Sequence, residues 1–274
     1  HPDPEAPAPK RGKLASEQWH GQLGRGRPLD GFSVATDVLP ELMCEAGGCN
    51  ASRAEPGRRL LFPSHQQAVP QITAKLDAAA LWRLGHTGTG VRVAVFDTGL
   101  GAAHPHLHNI EERTNWTDEE TLDDGVGHGS FVAGVIGSSA ECLGFAPDAQ
   151  LHIFKVFNAK QVSYTSWFLD AFNYALYRKV HILNLSIGGP DFADRPFTQK
   201  VDEVAANNVL IVSGIGNSGP LWGTLMNPAD QPNVLGVGGV DDAGRLAPFS
   251  SRGMSGWEMP DGAGRVKPDL VSYG

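Results

Sequence analysis

The sequence predicts an α/β fold built on a mainly parallel sheet with helices on both faces. Three observations carry that expectation. Apolar, β-branched runs such as "VRVAVFD", "VHILNLSIGG" and "VLIVSGIGN" recur along the chain and read as buried strands. Segments of helical period lie between them, so strands and helices alternate. Several strands are apolar on both faces, as strands covered on both sides must be.

In chain order, residues 1–61 read as a poorly ordered leader. Up to about residue 57 it is rich in Pro, Gly and charge, as in "HPDPEAPAPKRGK" and "GRGRPLDG". Residues 62–274 read as the folded part. "QITAKLDAAALWRLGHTG" is a short helix ended at Gly85. "VRVAVFD" is a buried strand that ends in Asp97. His128 opens a helix of small residues, "GSFVAGVIGSS", able to pack closely on a sheet. "AQLHIFKVF" is the next strand. "YTSWFLDAFNYALYRK" places Trp167, Phe168, Ala171, Phe172, Ala175 and Leu176 on one helical face. "VHILNLSIGG" is a strand, "TQKVDEVAANN" a helix, and "VLIVSGIGN" and "NVLGVGGVD" are strands. No internal repeat is present.

Bulk properties narrow the function. The chain has 274 residues, room for one large α/β domain or two small ones. Its 22 basic and 30 acidic residues give a formal net charge of −8, which argues against nucleic acid or an anionic membrane as the main partner. No apolar run reaches transmembrane length. A start at His1 and a stop at "KPDLVSYG" read as a fragment of a longer precursor. Cys44 and Cys49 are close enough for a local disulfide, which leaves Cys142 over. Asn115, in "NWT", is the acceptor candidate for a glycan because its surroundings are polar and loop-like. Asn184, in "NLS", reads as a buried strand end. His104, His106 and His108 read as loop histidines, not a metal cluster.

Chemistry concentrates at strand ends, where parallel sheets place functional groups. Asp97 ends one strand, Ser186-Ile187-Gly188 ends another, and Asn217 ends a third. Acyl transfer by a serine needs an imidazole to take the hydroxyl proton and a buried carboxylate to orient that imidazole. It also needs donors for the developing oxyanion. Asp97 suits the carboxylate, His128 the base and Asn217 the oxyanion donor.

"VAVFDTGL", "GHGSFVAGVI", "LNLSIGG" and "GNSGP", in this order, resemble the subtilisin-like serine peptidases over about residues 69–274. The resemblance implies a three-layer subtilisin-like fold, truncated before the helix that carries the nucleophile. It implies that Ser186, Ile187 and Gly188 pair with an extended peptide substrate. The family's "GTS-x-A-P"-like serine motif is absent up to Gly274, and none of Ser130, Ser186, Ser218 or Ser250 has its context. The chain as given is therefore expected to be inactive, marginally stable and to expose apolar surface.

"RTNWTDEETLDDGVGHGSFVAGVI", "VSYTSWFLDAFNYAL" and "GPLWGTLMNPADQ" resemble one branch of that family. It implies a calcium-dependent zymogen of the endoplasmic reticulum and Golgi lumen, anchored by a C-terminal membrane segment. Its substrates would be membrane-bound transcription factor precursors and some viral glycoproteins, cut after Arg-x-hydrophobic-Leu-like sites. Arg58-Arg59-Leu60-Leu61 fits that pattern, so Arg58, Leu60 and Leu61 mark an expected autoprocessing site, with the leader as the protein's own pro-segment. Where many family members carry a calcium-binding Asp after "HP", this chain has His106, so calcium is not expected at that spot and its ligands are unassigned. No organic cofactor is implied. "FDTG" at residues 96–99 also fits an aspartic peptidase, but the second such motif is missing. "GHTGTG" precedes its strand, the wrong side for phosphate binding. A catalytically inert binding protein is the remaining alternative.

Overall fold

The computed structural model describes residues 33–34, 71–101, 104–140, 142–189, 194–255 and 264–274. Arg58, Leu60, Leu61, Cys44 and Cys49 lie outside them. The elements are β1 Ser33–Val34, α1 Ile72–Lys75, α2 Ala78–Arg83, β2 Arg92–Asp97, β3 Ile110–Asn115, α3 His128–Gly137, β4 Gln150–Lys155, α4 Thr165–Tyr177, β5 Ile182–Leu185, β6 Ile187–Gly188, α5 Arg195–Ala206, β7 Leu210–Gly214, β8 Val234–Val240, β9 Gly253–Met254, β10 Val266–Lys267 and β11 Leu270–Tyr273.

Seven strands form one sheet in the order β11-β8-β7-β5-β2-β4-β3. Every pairing within it is parallel. From β2 the chain goes to the edge at β3, returns to β4 beside β2, then crosses to the other side of β2 and builds outward through β5, β7, β8 and β11. The carboxyl end of β2 thus stands where strand order reverses, the place where open α/β sheets receive ligands.

Strand periodicity divides the core. Val93 and Val95 of β2 join Leu151 and Ile153 of β4 on one face, beneath Val132 and Ala133 of α3. Ala94, Phe96 and Phe154 point to the other face, against Phe168 and Phe172 of α4 and Phe197 and Val201 of α5. Aromatic rings fill that second layer: Phe96 lies 4.6 Å from Phe154 and 5.2 Å from Phe172 between centroids, and Phe168 meets Phe197 edge-on at 5.3 Å. On α4, Phe168, Ala171, Phe172 and Ala175 are buried, while Trp167 and Leu176 sit at the margin of the same face.

The structure departs from the sequence reading in several places. The first helix is two, because Asp77 adopts a left-handed conformation (φ 48°) between α1 and α2. β3 reads as charged loop in sequence, "IEERTN", because it is an edge strand with no apolar alternation. Ions hold it: Glu112 accepts from Arg178 Nε at 2.7 Å, pairs with His152 Nδ1 at 2.7 Å and accepts from Tyr174 Oη at 3.1 Å. Burial, followed by the Glu112 charge, pushes the Tyr174 phenol up to about 12. Cys142 is disulfide-bonded instead of left over. β1 places a strand inside the stretch read as leader, paired antiparallel to β6.

Candidate active site

β2 ends in Asp97, whose neighbours Val93 to Phe96 fix the strand in the core. Asp97 is 0% exposed. Its Oδ1 lies 2.8 Å and its Oδ2 3.0 Å from Nδ1 of His128, and Oδ1 also accepts the Thr98 N–H at 2.8 Å. A buried carboxylate offers only acceptors, so Nδ1 must carry the proton and Nε2 is the free basic nitrogen. The His128 side chain is 10% exposed, enough for one edge of the ring to face solvent.

Two glycines let His128 stand there. Gly127 precedes α3 with φ 96°, a left-handed conformation that turns the chain into the helix. Gly129 lies against the β2 turn, where a Cβ would fall 2.3 Å from the Gly99 carbonyl oxygen. Any side chain at 129 would push α3, and His128 with it, off Asp97.

Asp124 fastens this entry. Its Oδ1 accepts from Thr98 Oγ1 at 2.7 Å, Gly127 N at 2.7 Å and Val126 N at 3.0 Å. Its Oδ2 accepts from Ser130 N and Ser130 Oγ, each at 2.8 Å. The Thr98 hydroxyl in turn accepts the Gly129 N–H at 3.0 Å. One carboxylate thus satisfies free N–H groups at the start of α3 and ties them to the residue after Asp97. Burial raises the Asp124 pKa, but the backbone bonds from Gly127 and Ser130 and the hydroxyl bonds from Thr98 and Ser130 outweigh it and hold the carboxyl below its ordinary range. The sequence reading missed Asp124 and Thr98. An Asp just ahead of a helix start is a capping signal and could have marked the first.

Asn217 follows β7 and is exposed. β7 is separated from β2 by β5 alone, so Asp97 and Asn217 leave the same rim on strands about 10 Å apart. Ser186 lies between β5 and β6 on that rim, its hydroxyl accepting from Asn184 Nδ2 at 2.9 Å. Ile187 and Gly188 form β6, and the backbone of Val34 and Ser33 pairs with them in antiparallel register. The edge expected to receive an extended peptide thus receives Ser33 and Val34 of the same chain.

Ser130 is engaged with Asp124, and the Ser250 hydroxyl accepts the Gly239 N–H at 3.0 Å. Neither hydroxyl is turned to His128.

The geometry runs against a glycan at Asn115. That residue is 3% exposed at the end of β3; its Nδ2 donates to the Glu119 carbonyl and its Oδ1 accepts from Thr117 N and Oγ1. "NWT" looked like surface loop because the strand holding it is polar. Among the described residues no group of three or more His, Cys, Asp or Glu side chains could hold a metal ion. His104 and His106 meet edge-on at 5.6 Å without a converging third ligand. No helix among the described residues is long and apolar enough to cross a membrane.

The family model of the subtilases, Peptidase S8, matches residues 88–274. This chain belongs to the subtilase family. Its similarity to subtilisin of Bacillus pumilus is 32% identity over 194 residues, 68% of this chain and 70% of that protein. It is 62% identical to membrane-bound transcription factor site-1 protease of Homo sapiens over 258 residues, 94% of this chain and 23% of that protein. It is 60% identical to the subtilisin-like protease SBT6.1 of Arabidopsis thaliana over 205 residues, 74% of this chain and 20% of that protein. The chain therefore spans under a quarter of the length of these last two relatives. For a subtilase, the described rim presents a carboxylate–imidazole pair, an exposed amide and a short strand edge paired with Ser33–Val34.

Proposed function

We propose that this chain supplies the Asp–His pair, the oxyanion donor and the substrate strand of a serine endopeptidase. The observation that carries this reading is the fully buried Asp97 with both oxygens on Nδ1 of His128, at the sheet's reversal point. In the reaction Nε2 of His128 takes the proton of a serine hydroxyl as that oxygen attacks the scissile carbonyl. Asp97 fixes the tautomer and stabilises the imidazolium. Asn217 donates its amide N–H to the oxyanion as it forms. His128 then returns the proton to the leaving amine. The nucleophile is a serine other than Ser130, Ser186, Ser218 and Ser250. Ser186, Ile187 and Gly188 hold the peptide as an added strand.

The substrates proposed are membrane-bound transcription factor precursors, met in the lumen of the endoplasmic reticulum and Golgi and cut after Arg-x-hydrophobic-Leu-like sites. Identity of 62% to a relative named for membrane-bound transcription factors supports this. We assign autoprocessing to the bond after Leu61, read by Arg58 and Leu60. The pairing of Ser33–Val34 with Ile187–Gly188 supports the leader as a bound pro-segment. No calcium ligands are assigned; among the described residues no group of three or more His, Cys, Asp or Glu side chains could hold a metal ion.

The test is cleavage of paired peptides by a form of the protein that carries the nucleophile. An Arg-x-Leu-Leu peptide should be cut after its last Leu, and replacing Arg by Ala should lower kcat/KM at least tenfold. Equal cleavage of both peptides would remove the specificity. N-terminal sequencing should find a mature start at Phe62; a start far from it would remove the processing site.

A further inference from the structure

Lys155 is the last residue of β4 and is 1% exposed, among the largest fully buried side chains described. In sheet register it stands beside Asp97 on one side and Asn115 on the other. An ammonium in that place is costly unless each proton finds an acceptor, and an apolar side chain of similar length would fill the space without the cost. Two of its protons have backbone carbonyl acceptors, and a carboxylate stands close by as counter-ion. Nζ donates to the Thr98 carbonyl at 3.0 Å and to the Asp123 carbonyl at 2.9 Å, and lies 3.1 Å from Glu119 Oε2 as an ion contact.

The identity of those carbonyls matters. Thr98 follows Asp97, and its N–H and hydroxyl face Asp97 Oδ1. Asp123 precedes Asp124, whose carboxylate fastens the start of the His128 helix. The backbone after Lys155 adds a further tie, Val156 N donating to the Asp97 carbonyl at 2.9 Å. The ammonium thus stands between the strand end that carries Asp97 and the loop that launches His128.

We propose that Lys155 is a positioning residue: its buried ammonium sets the separation and angle of Asp97 and His128 by bonding one backbone carbonyl from each side, with Glu119 as counter-ion. This rests on the peptidase reading of that pair. Lys155 touches neither substrate nor the reacting atoms. Its loss tilts the imidazole and slows the chemical step while leaving peptide binding intact.

The test replaces both ions together, Lys155→Met with Glu119→Gln, so that no orphan charge is left inside. In a form that carries the nucleophile, kcat should fall tenfold to a hundredfold, on the order expected for a misplaced catalytic group, with KM unchanged. In the chain described, the NMR signal of the His128 Nδ1–H proton should broaden or vanish as the Asp97 bond loosens, while the Trp116 and Trp167 indole signals stay in place. Lys155→Gln with Glu119→Gln keeps an amide NH₂ with two N–H donors and should restore part of both signals. Unchanged kcat and an unchanged Nδ1–H signal in the folded Met variant would overturn the proposal. So would unfolding of both double variants, which would make Lys155 purely structural. If the unaltered form cleaves no peptide, the peptidase reading fails separately, and the Nδ1–H signal alone decides the role of Lys155.

Discussion

Asp124 accepts five hydrogen bonds from two segments that must stay in register: Thr98 beside Asp97, and the first turn of α3. Replacing it by Asn turns an NH₂ group toward N–H or hydroxyl donors, so at least one bond is lost. Asp124→Asn should destabilise the chain by about 0.5–2 kcal/mol, the range for a lost helix cap, read as a lower urea midpoint. The same residue sets a pH dependence. Its folded carboxyl is held below the ordinary value of 3.8, and that of Glu112 below 4.5 by the His152 and Arg178 hydrogen bonds against the opposing effect of burial. A depressed folded pKa contributes stability that is present above the unfolded value and lost as pH falls through the folded one. The contribution of these two carboxylates to the urea midpoint should therefore be constant from pH 7 down to about 5 and be lost below about 4. Asp124→Asn should make that loss smaller; an identical acid profile would contradict the assignment.

At the scale of elements, the sheet owes its position to α4 and α5 on one face and α3 on the other. Phe172 stands at the centre of the aromatic layer, fully buried and in ring contact with Phe96, Phe168 and Phe197. Phe172→Ala should cost about 3–5 kcal/mol through lost burial and the cavity left behind, measured by denaturant unfolding. A cost under 1 kcal/mol would mean that the layer can collapse. β11 is the opposite case. Among the described residues it is the sheet edge opposite β3, with Leu270 43% and Val271 48% exposed. An apolar open edge invites another strand. This edge predicts self-association in sedimentation runs that Val271→Lys reduces with little change in stability; a monomer at every concentration would contradict it.

For the molecule as a whole, the parts of the fold visible in sequence were those where one pattern dominates. β2 and β4 are buried on both faces, and β5 and β7 are apolar runs buried on one face, so these runs had no rival reading. α4 kept its 3.6-residue period from Phe168 to Ala175. β3 was hidden because charge holds it, through Glu112, His152 and Arg178, where apolar alternation would have revealed it. The same hidden strand made Asn115 look like loop when it is buried. Asp97, His128 and Asn217 were legible because each stands at an abrupt change of texture, a polar residue after an apolar strand or a histidine between glycines. Asp124, Thr98 and Lys155 act through hydrogen bonds that only the folded chain brings together. Lys155 ends β4 in the mostly apolar run "LHIFKVF", with no neighbour in sequence to announce its partners.

The central claim is that His128, oriented by Asp97, is a proton acceptor in peptide hydrolysis. The most direct measurement is kcat/KM for an Arg-x-Leu-Leu peptide in a form that carries the nucleophile, with and without His128→Ala. The account predicts a loss of at least about a thousandfold, the scale on which removing one member of such a triad acts, with the fold preserved by circular dichroism. Cleavage by the folded His128→Ala protein within a few-fold of the unaltered one would contradict it.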